Sequence, residues 1–329
     1  MFKYLFLSFI LLFEMSFAQT EKLKVLATTS MWADMARVIG SDFVDVETIV
    51  PIGSDPHLYE PIPSDVQKII KADVILVNGL TFENWLVKLI TNVSEKNKSI
   101  LLTKNVTPIS SIDHQGATDP HAWMDVENGI LYSTEIYKAL VKLDPMHERE
   151  YEFNFKTYKK QLEELHQYII SSIAKIPIEK RILITSHDAF QYYGKKYGLN
   201  LYSLLGISTD ADVQSNDLIE INRIIKEKKV PAVFVESTIN PKIMQGIQSE
   251  NKIKIGGKLF ADSLGDEHSE GSTYINMIKH NTDVIVSALS TDELFNSDSN
   301  NVTNSKWIIP FLIVFYIVSI ISLILINKK

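Results

Sequence analysis

The sequence contains no cysteine among its 329 residues. This absence excludes a disulfide framework, a thiolate metal site, a cysteine nucleophile and a lipid-modified cysteine. Two catalytic signatures are also missing, since neither the HExxH motif of zinc peptidases nor the GxSxG elbow of serine hydrolases occurs. There is no histidine-rich tract either. A metal site in this chain therefore has to be built from single histidines and carboxylates that lie far apart in the sequence.

The chain also lacks an excess of positive charge. It carries 33 Lys and Arg against 40 Asp and Glu, a net charge of −7 at pH 7, which argues against a nucleic-acid partner. With 45% hydrophobic and 22% charged residues, the composition is ordinary for a globular protein with a sizeable core. The length suggests about two domains.

Both ends of the chain carry long apolar segments. Residues 1–18 combine an early lysine, an apolar stretch and a final small residue, a pattern that predicts a cleavable signal peptide. Residues 307–326 are largely apolar, carry no charge and follow a polar tether at 297–306. Twenty helical residues extend about 30 Å, the thickness of a bilayer core. The sequence thus predicts an extracytoplasmic protein, in the periplasm or at the cell surface, anchored to the cytoplasmic membrane by a C-terminal single-pass helix. The alternative is a buried strand or helix at the N-terminal end and a buried helix at the C-terminal end.

Between these ends, strand-like and helix-like segments alternate. Short apolar runs, such as residues 23–30 and 72–79, are followed by amphipathic stretches, an order typical of a parallel sheet covered by helices. We predict an α/β fold with two parallel-sheet lobes, residues 22–143 and 176–292, and a metal site in the cleft between them.

Residues 144–175 have a different pattern and predict one long, rigid helix that joins the lobes. Asp144 and Pro145 form a strong helix start, and apolar residues then recur every three or four positions without glycine or proline until Pro177. A coiled coil is the alternative for this segment.

Four residues within this framework are candidate metal ligands: His57, His121, His187 and Asp262. They lie 64 to 75 residues apart, so only a tertiary fold could bring them together. The first two follow Asp-Pro pairs, which stiffen a loop. The other two come where a strand ends, the edge at which open α/β sheets bind ligands. Three neutral imidazoles and one carboxylate can fill a four-coordinate shell around a divalent metal.

The remaining histidines and several acids are weaker candidates. A solvated role is expected for His114, His147, His166, His268 and His280. Carboxylates that orient metal-bound histidines are common in proteins. Four acids are candidates for that role, because they lie near the candidate ligands in sequence or fit the family resemblance described next: Glu60, Asp125, Asp188 and Glu236. The alternative is that they are ordinary solvated acids.

From about residue 22 to 290, the chain resembles the solute-binding proteins of zinc/manganese ABC transporters (family 9, cluster A-I). The segments that carry the resemblance are GSDPHLYEP, TDPHAWMDVENG, ITSHDAFQYYGKKYGL, VFVESTINPK and GGKLFADSLGDEHSEGSTY. The family implies two α/β lobes joined by a rigid helix, with the metal bound between them by His57, His121, His187 and Asp262. Some manganese-preferring members have glutamate where this chain has His187. The chain departs from the family in lacking the lipidation cysteine and in its C-terminal span.

The resemblance implies high-affinity binding of a divalent transition metal and its delivery to an ABC permease, with the metal as transported ligand rather than catalytic cofactor. An imidazole-rich shell favours Zn²⁺ over Mn²⁺, although a bidentate Asp262 would admit Mn²⁺. We therefore expect a binding protein and not an enzyme. The alternatives are a secreted zinc-dependent hydrolase, which would need an open water position on the metal, and a metal-dependent surface adhesin.

Overall fold

The computed structural model describes residues 21–86, 89, 98–110, 117–210 and 212–290. The predicted signal peptide, polar tether and C-terminal span lie outside these residues, as does His114. Within the described ranges, no helix is both long enough and apolar enough to cross a membrane.

Four short parallel strands form the sheet of the N-terminal half, in the order β2–β1–β3–β4. They are β1 (Leu23–Ala27), β2 (Val44–Thr48), β3 (Val74–Val77) and β4 (Ser99–Leu101), with α1 (Ser30–Gly40) after β1 and α2 (Pro63–Lys71) before β3. The central strands β1 and β3 are largely buried, as expected for strands of a parallel sheet with both faces covered. Because parallel strands end at the same edge, the loop after β2 leaves the sheet beside the ends of β1 and β3.

Two helices, α3 (Val126–Leu143) and α4 (Glu148–Ile173), follow the first sheet and pack against each other. Helix α4 has 26 residues, which corresponds to about 39 Å. It begins later than the predicted limit because a 3₁₀ turn at Pro145–His147 comes first. Asp144 stabilises that turn, since its carboxylate accepts hydrogen bonds from the His147 ring and from the hydroxyl of Tyr151.

The C-terminal half contains two pairs of parallel strands. They are β5 (Ile182–Thr185) with β6 (Asn200–Ser203), and β7 (Ala232–Glu236) with β8 (Lys254–Leu259). Strand β5 lies beside β7. Helices α5 (Gln191–Tyr197), α6 (Ser215–Lys228) and α7 (Lys242–Asn251) come after β5, β6 and β7, and α8 (Tyr274–Leu289) follows β8.

Helix α4 connects the two halves physically as well as in sequence. It packs against α1 from the first half and α8 from the second, and the main hydrophobic core contains side chains from all three helices. The fold is therefore α/β, with two parallel-sheet lobes joined by a long helix, as predicted. The lobe limits at 22–143 and 176–292 remain a proposed division.

Candidate metal centre

His57 lies in the loop that follows β2, and this loop is tied to the opposite lobe. The carboxylate of Asp55 accepts a hydrogen bond from the backbone N–H of His57 at 2.9 Å and another from the hydroxyl of Thr209 at 2.6 Å. The backbone N–H of Gly53, at φ +80°, donates to Oγ of Ser263 at 2.8 Å. Thr209 and Ser263 belong to the C-terminal half, so the His57 loop closes across the cleft.

His121 is completely buried and is oriented by a neighbouring carboxylate. Oδ1 of Asp119 accepts hydrogen bonds from the His121 backbone N–H at 2.8 Å and from its Nδ1 at 2.7 Å. This contact keeps the proton on Nδ1 and leaves the lone pair of Nε2 available. The Asp-Pro-His pattern indicates only a stiff loop at Asp119 and does not predict this role.

His187 and Asp262 come from the C-terminal half, at the ends of neighbouring strands. His187 follows β5, and its backbone N–H donates to Oε1 of Glu236 at 2.9 Å, while its Nδ1 lies 2.6 Å from Oε2 of the same carboxylate. Glu236 is the last residue of β7, and Asp262 comes three residues after β8. Parallel strands that end at one edge thus bring these three side chains together.

The four candidate ligands converge on one point between the lobes, with one ligand atom from each lying within 4.8 Å of the others. The Nε2 atoms of His57 and His121 are 3.3 Å apart, and those of His121 and His187 lie 3.5 and 3.0 Å from the carboxylate oxygens of Asp262. In a tetrahedral site with bonds near 2.1 Å, ligand atoms lie roughly 3.4 Å apart. The geometry therefore fits a small divalent cation at the centre.

The carboxylate of Asp262 is buried and faces three imidazoles: its Oδ2 lies 3.0 Å from Nε2 of His187 and 3.7 Å from Nε2 of His57, and its Oδ1 lies 3.5 Å from Nε2 of His121. A buried carboxylate is costly unless positive charge compensates it. This carboxylate is therefore arranged for a positive charge.

The pKa values of the site reflect burial and mutual attraction. Burial lowers the pKa of His57 to about 3, so this ring is neutral and can donate a lone pair. Burial acts in the same direction on His187, but Glu236 and Asp262 outweigh it and raise the pKa of His187 well above its usual value. Burial would raise the pKa of Asp262, yet the three imidazoles hold it below its ordinary value, and the group is ionised at neutral pH.

Aromatic side chains of the N-terminal half enclose two of the rings. Phe82 packs edge-on against His57 with centroids 5.2 Å apart, and Trp123 packs against His121 at 5.3 Å. Phe82 and Trp123 also touch each other, at 5.0 Å. These contacts restrict the rotation of both imidazoles and exclude water from their faces. No pattern in the sequence predicts either aromatic residue as part of the site.

The four acids predicted to orient the histidines make different contacts in the structure. Glu236 contacts His187 as described, whereas Glu60 is exposed. Asp125 accepts a hydrogen bond from the backbone N–H of Glu127 and caps α3. Asp188 accepts a hydrogen bond from the amide of Gln191.

The other described histidines lie outside the cluster of four candidate ligands. Their nearest polar partners are Asp144 for His147, Tyr197 and Glu127 for His166, Glu267 for His268 and the carbonyl of Lys258 for His280. None of these four rings belongs to the cluster formed by the candidate ligands.

Comparison with known proteins identifies relatives along most of the chain. The family model for the periplasmic component A of the zinc-uptake complex, ZnuA, matches residues 25–288. The metal ABC transporter substrate-binding lipoprotein SsaB of Streptococcus sanguinis is 36% identical over 281 residues, covering 83% of this chain and 91% of the relative. The manganese ABC transporter substrate-binding lipoprotein PsaA of Streptococcus anginosus is 35% identical over 278 residues, covering 82% and 90%.

Solved structures show the same fold. The periplasmic zinc binding protein TroA from Treponema pallidum superposes with a TM-score of 0.79 at 31% identity, over 82% of this chain and 100% of that one. A manganese-bound mutant of the periplasmic metal binding protein from Candidatus Liberibacter asiaticus gives a TM-score of 0.76 at 30% identity, with the same coverage. These relatives are binding proteins, which answers the hydrolase alternative: this chain is not an enzyme.

The predicted localisation, with anchorage by a C-terminal single-pass helix, is wrong. SsaB and PsaA are named lipoproteins, a class that is held at a membrane by acyl chains rather than by a spanning helix. No membrane-crossing helix occurs among the residues that the structure describes, and the proposed span at 307–326 lies outside them. These findings do not support anchorage by a C-terminal helix.

Proposed function

Because this chain belongs to the ZnuA family, the substrate-binding proteins of metal ABC transporters, we propose that it binds Zn²⁺ and delivers it to an ABC permease. The proposed ligands are His57, His121, His187 and Asp262. The observation that carries the proposal is the convergence of their ligand atoms within 4.8 Å around the buried carboxylate of Asp262.

The preference for zinc is argued from the donor set. Zn²⁺ is well served by three imidazole nitrogens and one carboxylate in a tetrahedron, whereas Mn²⁺ prefers more oxygen ligands and a higher coordination number. His187 supplies nitrogen at one corner of the site. The names of the relatives include both zinc and manganese, so the donor set, and not the resemblance, supports this choice.

A role as a carrier follows from the completeness of the shell. A catalytic zinc keeps one position open for water, but here four protein ligands would fill a tetrahedral shell. Two of them come from each lobe, and the loop of His57 is held to the other lobe through Thr209 and Ser263. Release would require these contacts across the cleft to break. The long helix between the lobes favours a small local rearrangement over a wide hinge motion.

Elemental analysis of the protein purified from its native host tests the metal. With zinc and manganese both supplied in the medium, we expect about one zinc per chain and little manganese. Metal affinity in vitro is a weaker test, since zinc outcompetes manganese at most nitrogen sites. Predominant manganese in the purified protein would overturn the zinc assignment while leaving metal transport intact. No bound transition metal would overturn the whole proposal.

A further inference from the structure

A buried carboxyl group lies behind the candidate metal centre, in the turn that follows β3. Glu83 is 2% exposed. Its Oε1 accepts hydrogen bonds from the Thr28 hydroxyl and the Asn78 backbone N–H, both at 2.7 Å, and its Oε2 accepts one from the Gly79 N–H at 2.9 Å. Three donors therefore converge on one side chain that is not among the four candidate ligands.

The turn held by Glu83 has an unusual backbone. Gly79, Leu80 and Thr81 are consecutive residues with positive φ, at 84°, 51° and 71°. Positive φ is unfavourable for residues other than glycine, and strain of this kind persists only where surrounding contacts enforce it. The backbone hydrogen bonds to Glu83 supply that enforcement. The same turn carries Phe82, whose ring packs against His57.

Asn78 connects this turn to the loop of His121. Its side chain is completely buried, and its Nδ2 donates to the carbonyl of Pro120 at 2.9 Å. The hydroxyl of Tyr132 donates to Oδ1 of Asn78, and the hydroxyl of Thr103 donates to its backbone carbonyl. Asn78 is thus fixed on several sides, and it holds the residue directly before His121.

We propose that Glu83 and Asn78 are positioning residues for the metal centre: Glu83 fixes the turn, and the Asn78 amide holds Pro120 so that the His121 imidazole faces the metal. The proposal rests on the metal-binding function proposed above and adds two residues from outside the set of candidate ligands. Asp119 fixes the rotation of the His121 ring, whereas Asn78 fixes the position of the backbone that carries it. Phe82 extends the effect of the same turn to His57.

The test uses Co²⁺, whose visible absorption reports the geometry of its ligands. Three variants are titrated with Co²⁺: Asn78→Asp, Glu83→Gln and the control Glu135→Gln. In Asn78→Asp an oxygen replaces the nitrogen that faces the Pro120 carbonyl, and we expect Co²⁺ affinity to fall about tenfold or more, with a changed visible band. In Glu83→Gln one of the three acceptor contacts is lost, and we expect a smaller fall, about threefold, with a band changed in the same direction.

Glu135 is a matched control because it is also a buried glutamate: it lies in α3 and accepts hydrogen bonds from Asn105 and Lys138. Glu135→Gln should lower the unfolding free energy but leave the Co²⁺ band and affinity within about twofold of wild type.

Folded Asn78→Asp and Glu83→Gln proteins with the wild-type band and affinity would overturn the positioning role. If Asn78→Asp fails to fold, Glu83→Gln decides by the same criterion. Absence of Co²⁺ binding by the wild-type protein would instead contradict the proposed function itself, and the two failures are therefore distinguishable.

Discussion

Nδ1 of His187 lies 2.6 Å from Oε2 of Glu236, and both side chains are completely buried. On the other side of the ring, Nε2 lies 3.0 Å from Asp262. Burial alone would lower the pKa of His187, but the two carboxylates raise it well above 6.5. In the metal-free protein at neutral pH, His187 is therefore an imidazolium, protonated on both ring nitrogens. The metal has to displace one of these protons to bind the ring.

We expect zinc binding at pH 7 to release about one proton, because an imidazolium has no lone pair for a metal. Since the pKa of His187 is raised, proton and metal compete below that raised value, and affinity falls by about tenfold per pH unit as the pH decreases. Calorimetric titrations in buffers of different ionisation enthalpy count the released protons. An affinity at pH 5 equal to that at pH 7 would contradict a site with three histidines.

Removal of one ligand should weaken binding steeply. We expect His57→Ala and Asp262→Ala to lower zinc affinity by more than about 100-fold, since loss of a ligand exceeds the 10–100-fold effects of its supporting residues. Competition with a chromophoric chelator measures the change. His268→Ala is the control, because the His268 side chain is 86% exposed. Equal losses in all three variants would rule out the assigned ligand set.

The orienting role of Asp119 can be separated from a general effect of removing an acid. Asp119→Asn replaces the carboxylate that accepts the hydrogen bond from Nδ1 of His121 by a neutral amide, and this weakens the hydrogen bond. We therefore expect zinc affinity to fall by about 10- to 100-fold. Asp125→Asn is matched to it, since asparagine caps a helix about as well as aspartate. That variant should bind zinc like wild type. A wild-type affinity in Asp119→Asn would show that the ring needs no carboxylate.

The hydrogen bond between Thr209 and Asp55 should slow metal release, because it closes the His57 loop across the cleft. Thr209→Val removes the hydroxyl at similar volume, and we expect release to be about three- to tenfold faster. Stopped-flow mixing of the zinc-loaded protein with excess chelator gives this rate. Ser208→Ala, in the same loop, loses only the two hydrogen bonds between Ser208 and Asp210 and should release zinc at the wild-type rate. A Thr209→Val rate no faster than wild type would exclude a latch at this contact.

Glu83 should make the stability of the metal-free protein depend on pH. Burial raises its pKa from 4.5 to about 7, despite the opposing hydrogen bonds from Thr28, Gly79 and Asn78. The folded protein thus binds this proton more tightly than the unfolded chain, and the resulting stability is present below pH 4.5 and is lost as the pH rises to 7. Between pH 5 and 7.5 the loss is about 2 kcal/mol.

Urea unfolding at both pH values measures this loss, with Glu83→Gln as the reference. Because glutamine does not titrate, the variant lacks this contribution, and its unfolding free energy should fall less than that of wild type over the interval. The same pH dependence in both proteins would assign the effect to other groups.

Much of the fold follows from local pattern. The buried strands β1, β3, β5 and β7 and the long helix were predictable because continuous apolar runs and a three-to-four residue periodicity are properties of short segments. The strands β4 and β6 were not predicted. They have only three and four residues. Each forms because it pairs with a neighbouring strand, and the local sequence contains no information about that pairing.

The two Asp-Pro-His tripeptides mark the limit of sequence reasoning about the site. Both place a histidine on a stiff loop, and both histidines reach the centre. Yet Asp119 contacts the ring of His121, while Asp55 contacts Thr209 of the other lobe. Identical local sequences acquire different roles because Asp119 contacts the ring of the histidine two positions later, whereas the partner of Asp55 comes from a distant part of the chain.

The sequence by itself determined which donors were available, three imidazoles and a carboxylate without any thiolate, and placed them at loops and strand ends where side chains are free to converge. Donor chemistry and chain direction are local properties, so they can be predicted locally. Only the tertiary structure decided that these four meet between the lobes, that Asp119 and Glu236 hold two of the rings, and that Asn78 and Glu83 support the loop behind them. The contacts of Glu236 with His187 and of Asn78 with Pro120 join residues 49 and 42 positions apart, and the four candidate ligands meet only once the two lobes pack around the long helix.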